Sequence, residues 1–194
     1  METHQPATVT KQMPDARSAR MLLVPGLLFA GAIVIFLVVW FVAHSSTDSV
    51  TLPKIGAPAA VSEAQLKKLA AATDHPVYWA GEKTGAYELT RTNDGRIYVR
   101  YLPSAAKVGD KAPAYLTVGT YLEKNAFPSI RRAAARQGAI SLKIAHGGLM
   151  VFNKLTPKSV YFGYPGAKYQ VEVYDPSPQQ ARSLVLAGAI VPIR

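Results

Sequence analysis

Three groups of residues have the types and spacing to do chemistry. His146, Gly147 and Gly148 form a glycine-rich segment. Backbone amides of such a stretch can hold the negative charge that develops on an acyl oxygen, with the imidazole as general base. That reaction also needs an activated nucleophile, and the chain has no Gly-x-Ser-x-Gly elbow. Turn chemistry accounts for the three residues without catalysis, as the tip of a hairpin between two apolar runs. The second group is Arg131, Arg132 and Arg136, whose spacing places them outward on a helix with Phe127, Ile130 and Ala134 on its apolar side. There the guanidinium groups can grip phosphate or carboxylate, although cations near a helix C-terminus also favour its dipole. The third group, His44 and His75, has no carboxylate or second histidine at ligand spacing, so no metal centre is expected. Walker, dinucleotide-glycine, His-Glu-x-x-His and EF-hand patterns are absent, so no cofactor is expected and a binding role is favoured over catalysis. The chain has no cysteine, which excludes thiol and disulfide chemistry.

The elements that must position these residues are read from capping and alternation. Ser62 to Gln65 form a capping box, with Val61 and Leu66 as a hydrophobic staple, and predict a first helix over 63–73. A hairpin follows. With a three-residue loop of Asn93, Asp94 and Gly95, Tyr87 opposes Tyr101, Leu89 opposes Val99, Arg91 opposes Ile97 and Glu88 faces Arg100. A two-residue loop would mix the faces. The same test pairs Ile144 with Leu149 and Leu142 with Val151 around His146 and Gly147, and Phe162 with Val171 around residues 165–168. Asn125 is placed to cap a second helix that ends at Gly138. Ser177, Pro178, Gln179 and Gln180 form a capping box for a third, stopped by Gly188. Further strands are expected over 115–121 and 190–193. No internal repeat is visible in the sequence. Hairpins punctuated by three helices predict an α+β fold with a mainly antiparallel sheet.

The N-terminal portion is of another kind. Residues 21–43 contain no charged side chain. At about 1.5 Å per residue they give ~34 Å of helix, enough to cross a hydrocarbon core of about 30 Å. Trp40 and Phe41 fall at its far end, where aromatic rings favour the interface. A cleavable signal peptide is the competing explanation, with a small-x-small site at residues 43–45. The apolar stretch exceeds the usual h-region of about 7–15 residues, which favours retention as an anchor. Lys11, Arg17 and Arg20 precede the span and only Lys54 follows closely, so the N-terminus is expected in the cytoplasm and the C-terminal domain outside. The chain then divides into a tail without fixed structure (1–20), a transmembrane helix (21–43), a flexible linker (44–60) and one domain (61–194).

Beyond the span the chain carries 19 Lys and Arg against 10 Asp and Glu, and all ten tyrosines. Gly85, Tyr87 and Leu89, then Tyr98 to Pro103, Leu116 to Thr120, and Tyr174 to Pro178 form a pattern covering most of the domain. It resembles single-pass, membrane-anchored envelope proteins of actinobacterial type. The resemblance implies a bacterial envelope setting and carries over no catalytic residue. Tether and charge together lead to the expectation of a non-catalytic binding or accessory module that contacts envelope polyanions or a membrane-protein partner. The rivals are a membrane-tethered hydrolase using His146, and a cytoplasm-facing nucleic-acid binder, which needs the opposite topology.

Overall fold

The computed structural model describes residues 53–193, and the tail, the expected span and the first part of the linker lie outside them. Among the described residues no helix is long and apolar enough to cross a membrane. The fold starts inside the segment read as linker. Ala59–Val61 is strand β1, and the amide of Gly56 already donates to the Arg91 carbonyl at 2.8 Å.

Helix α1 (Glu63–Ala71) begins at the expected capping box, with both arms made: the Gln65 amide to Ser62 Oγ at 3.2 Å and the Ser62 amide to Gln65 Oε1 at 2.8 Å. Its buried face is Leu66 and Leu69, each worth about 1.5–3 kcal/mol of transfer free energy. Strand β2 (Tyr78–Trp79) precedes a meander of β3 (Ala86–Arg91), β4 (Ile97–Leu102) and β5 (Thr117–Leu122). Helix α2 (Ala126–Ala134) then leads to β6 (Ala139–Lys143), β7 (Leu149–Asn153), β8 (Thr156–Gly163) and β9 (Tyr169–Tyr174). Helix α3 (Pro178–Leu186) and β10 (Val191–Pro192) close the described domain.

The described residues form an α+β fold, with a mostly antiparallel sheet and three α-helices. Eight strands run in the order β1-β3-β4-β5-β9-β8-β7-β6, while β10 pairs with β2 alone. Two four-stranded antiparallel units, β1-β3-β4-β5 and β6-β7-β8-β9, thus join edge to edge through β5 and β9. One face of the sheet is apolar and carries Leu89, Val99, Val118, Val173, Val160 and Phe152 across successive strands. This face packs with α1, α3 and the β2–β10 pair into the main core. Two polar groups on it hold β2 in place. Thr120, fully buried, accepts from the Tyr78 amide at 2.9 Å, and the Tyr101 hydroxyl accepts from the Ala80 amide at 2.6 Å and donates to the Gly81 carbonyl at 3.0 Å. Burial pushes the Tyr101 hydroxyl's pKa up, which keeps it a donor.

The β3–β4 hairpin has the expected register, with Tyr87 opposite Tyr101, Leu89 opposite Val99 and Gly95 at φ +79°. Phe162 opposes Val171 as expected. The β6–β7 hairpin differs by one residue. Leu142 opposes Met150, not Val151, and Lys143, not Ile144, opposes Leu149. Its loop holds three residues, Ala145 to Gly147, closed by the Ile144 amide on the Gly148 carbonyl at 3.0 Å, with His146 and Gly147 both left-handed. Met150 and Phe152 thereby join the main core, while Val151 is buried on the other face. Helix α2 is also shorter than expected. It ends at Ala134 with Ala135 as its C-cap, the Asn125 side chain makes no capping bond, and Arg136 lies beyond the helix.

Candidate functional site

The second face of the sheet is polar, and its residues come from the alternate positions of the same strands. One row across five strands reads Thr90, Tyr98, Gly119, Glu172 and Tyr161. The next reads Glu88, Arg100, Thr117, Tyr174 and Ser159. At about 4.8 Å between neighbouring strands the first row spans ~19 Å.

The 103–116 segment folds over one part of this face because an ion pair holds it there. Arg100 Nη1 lies 3.2 Å from Glu88 Oε1, with both side chains largely buried. The guanidinium also donates to the carbonyls of Asp110 and Ala112, the Gly109 amide donates to Glu88 Oε2 at 2.5 Å, and Arg100 lies 4.8 Å over the Tyr115 ring. Asp110 accepts from the Ala112 amide at 2.9 Å and the Tyr115 hydroxyl at 2.7 Å. These two hydrogen bonds, the amide first, hold its carboxyl below the ordinary value, and Arg100 adds to them. Every polar atom of the Glu88 carboxylate is engaged, so this pair is a clasp for the segment.

Beside the clasp is a cleft of about 370 Å³ whose floor includes Gly119 and whose walls include Tyr98, Tyr174, Glu172, Thr90 and Lys111. Glu172 is held by two phenols, Tyr161 at 2.9 Å and Tyr121 at a short hydrogen bond. Gly119 makes that arrangement possible. A Cβ there would sit 3.1–3.2 Å from the Tyr121 ring and hydroxyl, so any larger residue would press on the ring where it folds back toward Glu172. Burial, and then the Glu172 charge, push Tyr161 up to about 12 and Tyr121 upward as well, so both phenols remain neutral donors. Tyr98 stands edge-on to Tyr121 at 5.6 Å, and Arg96 lies 5.3 Å over the other ring of that pair, Tyr121.

A second cleft, of about 230 Å³, lies where the end of α2 meets β7 and β8. Arg136, Asn153, Thr156, Ser159 and Tyr161 line it. The Tyr161 hydroxyl that reaches Glu172 makes the two clefts neighbours on one face.

The three candidate arginines separate. Arg131 and Arg132 are exposed on α2, Arg132 donating to Ser129 Oγ at 2.8 Å, while Arg136 sits past the helix beside the second cleft. Cations do gather near Arg136. The Lys154 amide donates to the Gly138 carbonyl at 2.9 Å and Asn153 Nδ2 to the Gln137 carbonyl at 3.3 Å, which sets the β7–β8 turn against the segment carrying Arg136.

His146 is exposed at a hairpin tip with φ +57°, and it has no hydrogen-bond partner among the described residues. The Gly148 amide is committed to the Ala145 carbonyl at 3.2 Å. A Cβ at Gly148 would lie 2.7 Å from Ile144 and Tyr164, so packing requires that glycine. His75 Nδ1 lies 3.1 Å from the Pro76 carbonyl, and no metal-ligand group of three is present among the described residues. His44 lies outside them.

The cleft around Glu172 escapes sequence reasoning because its parts come from β3, β4, β5, β8 and β9. The available signal was the polar alternate positions of each strand, which mark a second face without saying which strands are neighbours. Comparison with family models, curated proteins and solved structures finds no match for this chain.

Proposed function

We propose that this chain is a membrane-anchored, extracytoplasmic binding or accessory module that contacts anionic polymers of the cell envelope. The observation that carries the reading is the placement of charge in the folded domain. The polypeptide enters at the end of the sheet where β1 starts beside the β3–β4 hairpin. At the opposite end, Arg136, Lys154 and Lys158 are exposed around the β7–β8 turn without side-chain partners among the described residues, and Arg131 stands on the neighbouring helix. The domain's net positive charge supports the same reading, because unpaired exposed cations attract a polyanion while remaining well solvated. The apolar stretch at 21–43 supplies the anchor, and the basic residues before it supply the orientation.

The full chain, reconstituted in nanodiscs of zwitterionic lipid, should bind short-chain inorganic polyphosphate at low salt and lose it as ionic strength rises. Arg131→Ser, Arg136→Ser and Lys154→Ser together should weaken binding about tenfold, since three exposed contacts at roughly 0.5 kcal/mol each amount to about one decade. No binding at low salt would remove the reading.

A further inference from the structure

We infer that the two neighbouring clefts on the polar face form one groove for an anionic glycan segment. The inference rests on the polyanion reading and names the chemistry and place of recognition. Cations stand at both ends, Lys111 beside the first cleft and Arg136 beside the second. Between them the surface is built of hydroxyls, aromatic rings and the Glu172 carboxylate, with Thr90, Tyr98 and Tyr174 in the first cleft and Ser159, Tyr161 and Thr156 in the second. A bare polyphosphate would use the cations and could only accept from the hydroxyls, leaving the acceptor sites, the Glu172 carboxylate and the ring faces idle. A sugar polymer uses both, because its hydroxyls give and accept hydrogen bonds, its ring faces lie against tyrosine, and its acidic substituents reach the terminal cations. The Thr90 hydroxyl has no hydrogen-bond partner among the described residues. Glu172 keeps acceptor capacity beyond its two phenols, since a carboxylate has about four lone-pair sites. The first cleft's ~370 Å³ falls in the range of small-ligand sites, and the ~19 Å row gives an extended rather than a point-like footprint.

The test uses the full chain in zwitterionic nanodiscs with two probes, a uronic-acid-containing hexasaccharide and short-chain inorganic polyphosphate. Tyr98→Ala should weaken the hexasaccharide at least tenfold, and Thr90→Val, which removes only a hydroxyl, about threefold. Neither should change polyphosphate binding. Thr90→Val decides the matter if thermal unfolding shows that Tyr98→Ala is not folded. Unchanged hexasaccharide affinity in the folded variants, or an equal loss for both probes, overturns the groove. Salt-sensitive polyphosphate binding would then leave the polyanion reading standing. Failure of both probes to bind the parent chain at low salt overturns the two together.

Discussion

Single residues in this domain act mainly by what their polar atoms are tied to. Thr120 is the clearest case, since it is fully buried and its hydroxyl is the acceptor for the Tyr78 amide. Thr120→Val keeps the volume and orphans that amide, so it should cost about 1–3 kcal/mol. Urea unfolding of the chain would measure it, and a loss under about 0.5 kcal/mol would mean that β2 finds another acceptor. Thr120 lies two positions from both Val118 and Leu122, on the strand face that they share, so its inward direction is legible. That its partner is residue 78 is not, because 42 positions separate them. Glu172 is a similar case. Its alternation with Val171 and Val173 puts it on the polar face, but the two phenols that hold it come from β5 and β8.

Elements were readable where local chemistry left one choice. In the β3–β4 hairpin, apolar and polar positions alternate on both strands, so a wrong loop length would have mixed the faces. Strand β7 offers no such test. Its Met150, Val151 and Phe152 are all buried, because the main core covers one face and α2 covers the other, and an apolar run fits either register. The tip of that hairpin supports a prediction. His146 holds a left-handed conformation that glycine adopts without steric cost, while glycine loses more chain entropy on folding. His146→Gly should therefore leave stability unchanged or raise it by up to about 1 kcal/mol. The same variant tests the hydrolase alternative, in which a cellular activity depending on the imidazole would vanish. The sequence extends helix α2 past its true end because Ala135, Arg136 and Gln137 are all good helix formers and Gly138 after them has the look of a helix stop. The chain instead turns there to start β6, with Gly138 at φ +77°.

At the scale of the whole molecule, the proposed orientation is the most direct thing to test. A periplasmic-type reporter fused after Arg194 should be active, since Lys11, Arg17 and Arg20 outnumber Lys54 near the apolar stretch. Neutralising those three while adding lysines over residues 44–60 should lower that activity. A reporter active only in the cytoplasm would reverse the orientation and bring the nucleic-acid alternative forward. The sequence by itself determined the α+β class, three helices of the described domain with two of their caps, the register of two hairpins and the two faces of the β3–β4 hairpin. All of these depend on residues within a dozen or so positions, where capping, turn geometry and side-chain alternation act. Only the tertiary structure decided that the two antiparallel units join through β5 and β9, which no repeat in the sequence announces. That junction puts Gly119 beside Glu172 and so assembles the cleft. The pairing of β5 with β9 is a contact between segments about fifty residues apart, chosen by the burial of Val118 against Val173 and Thr120 against Val171 in one shared core. Local sequence cannot encode it, because the free energy that selects it appears only when the whole sheet closes over that core.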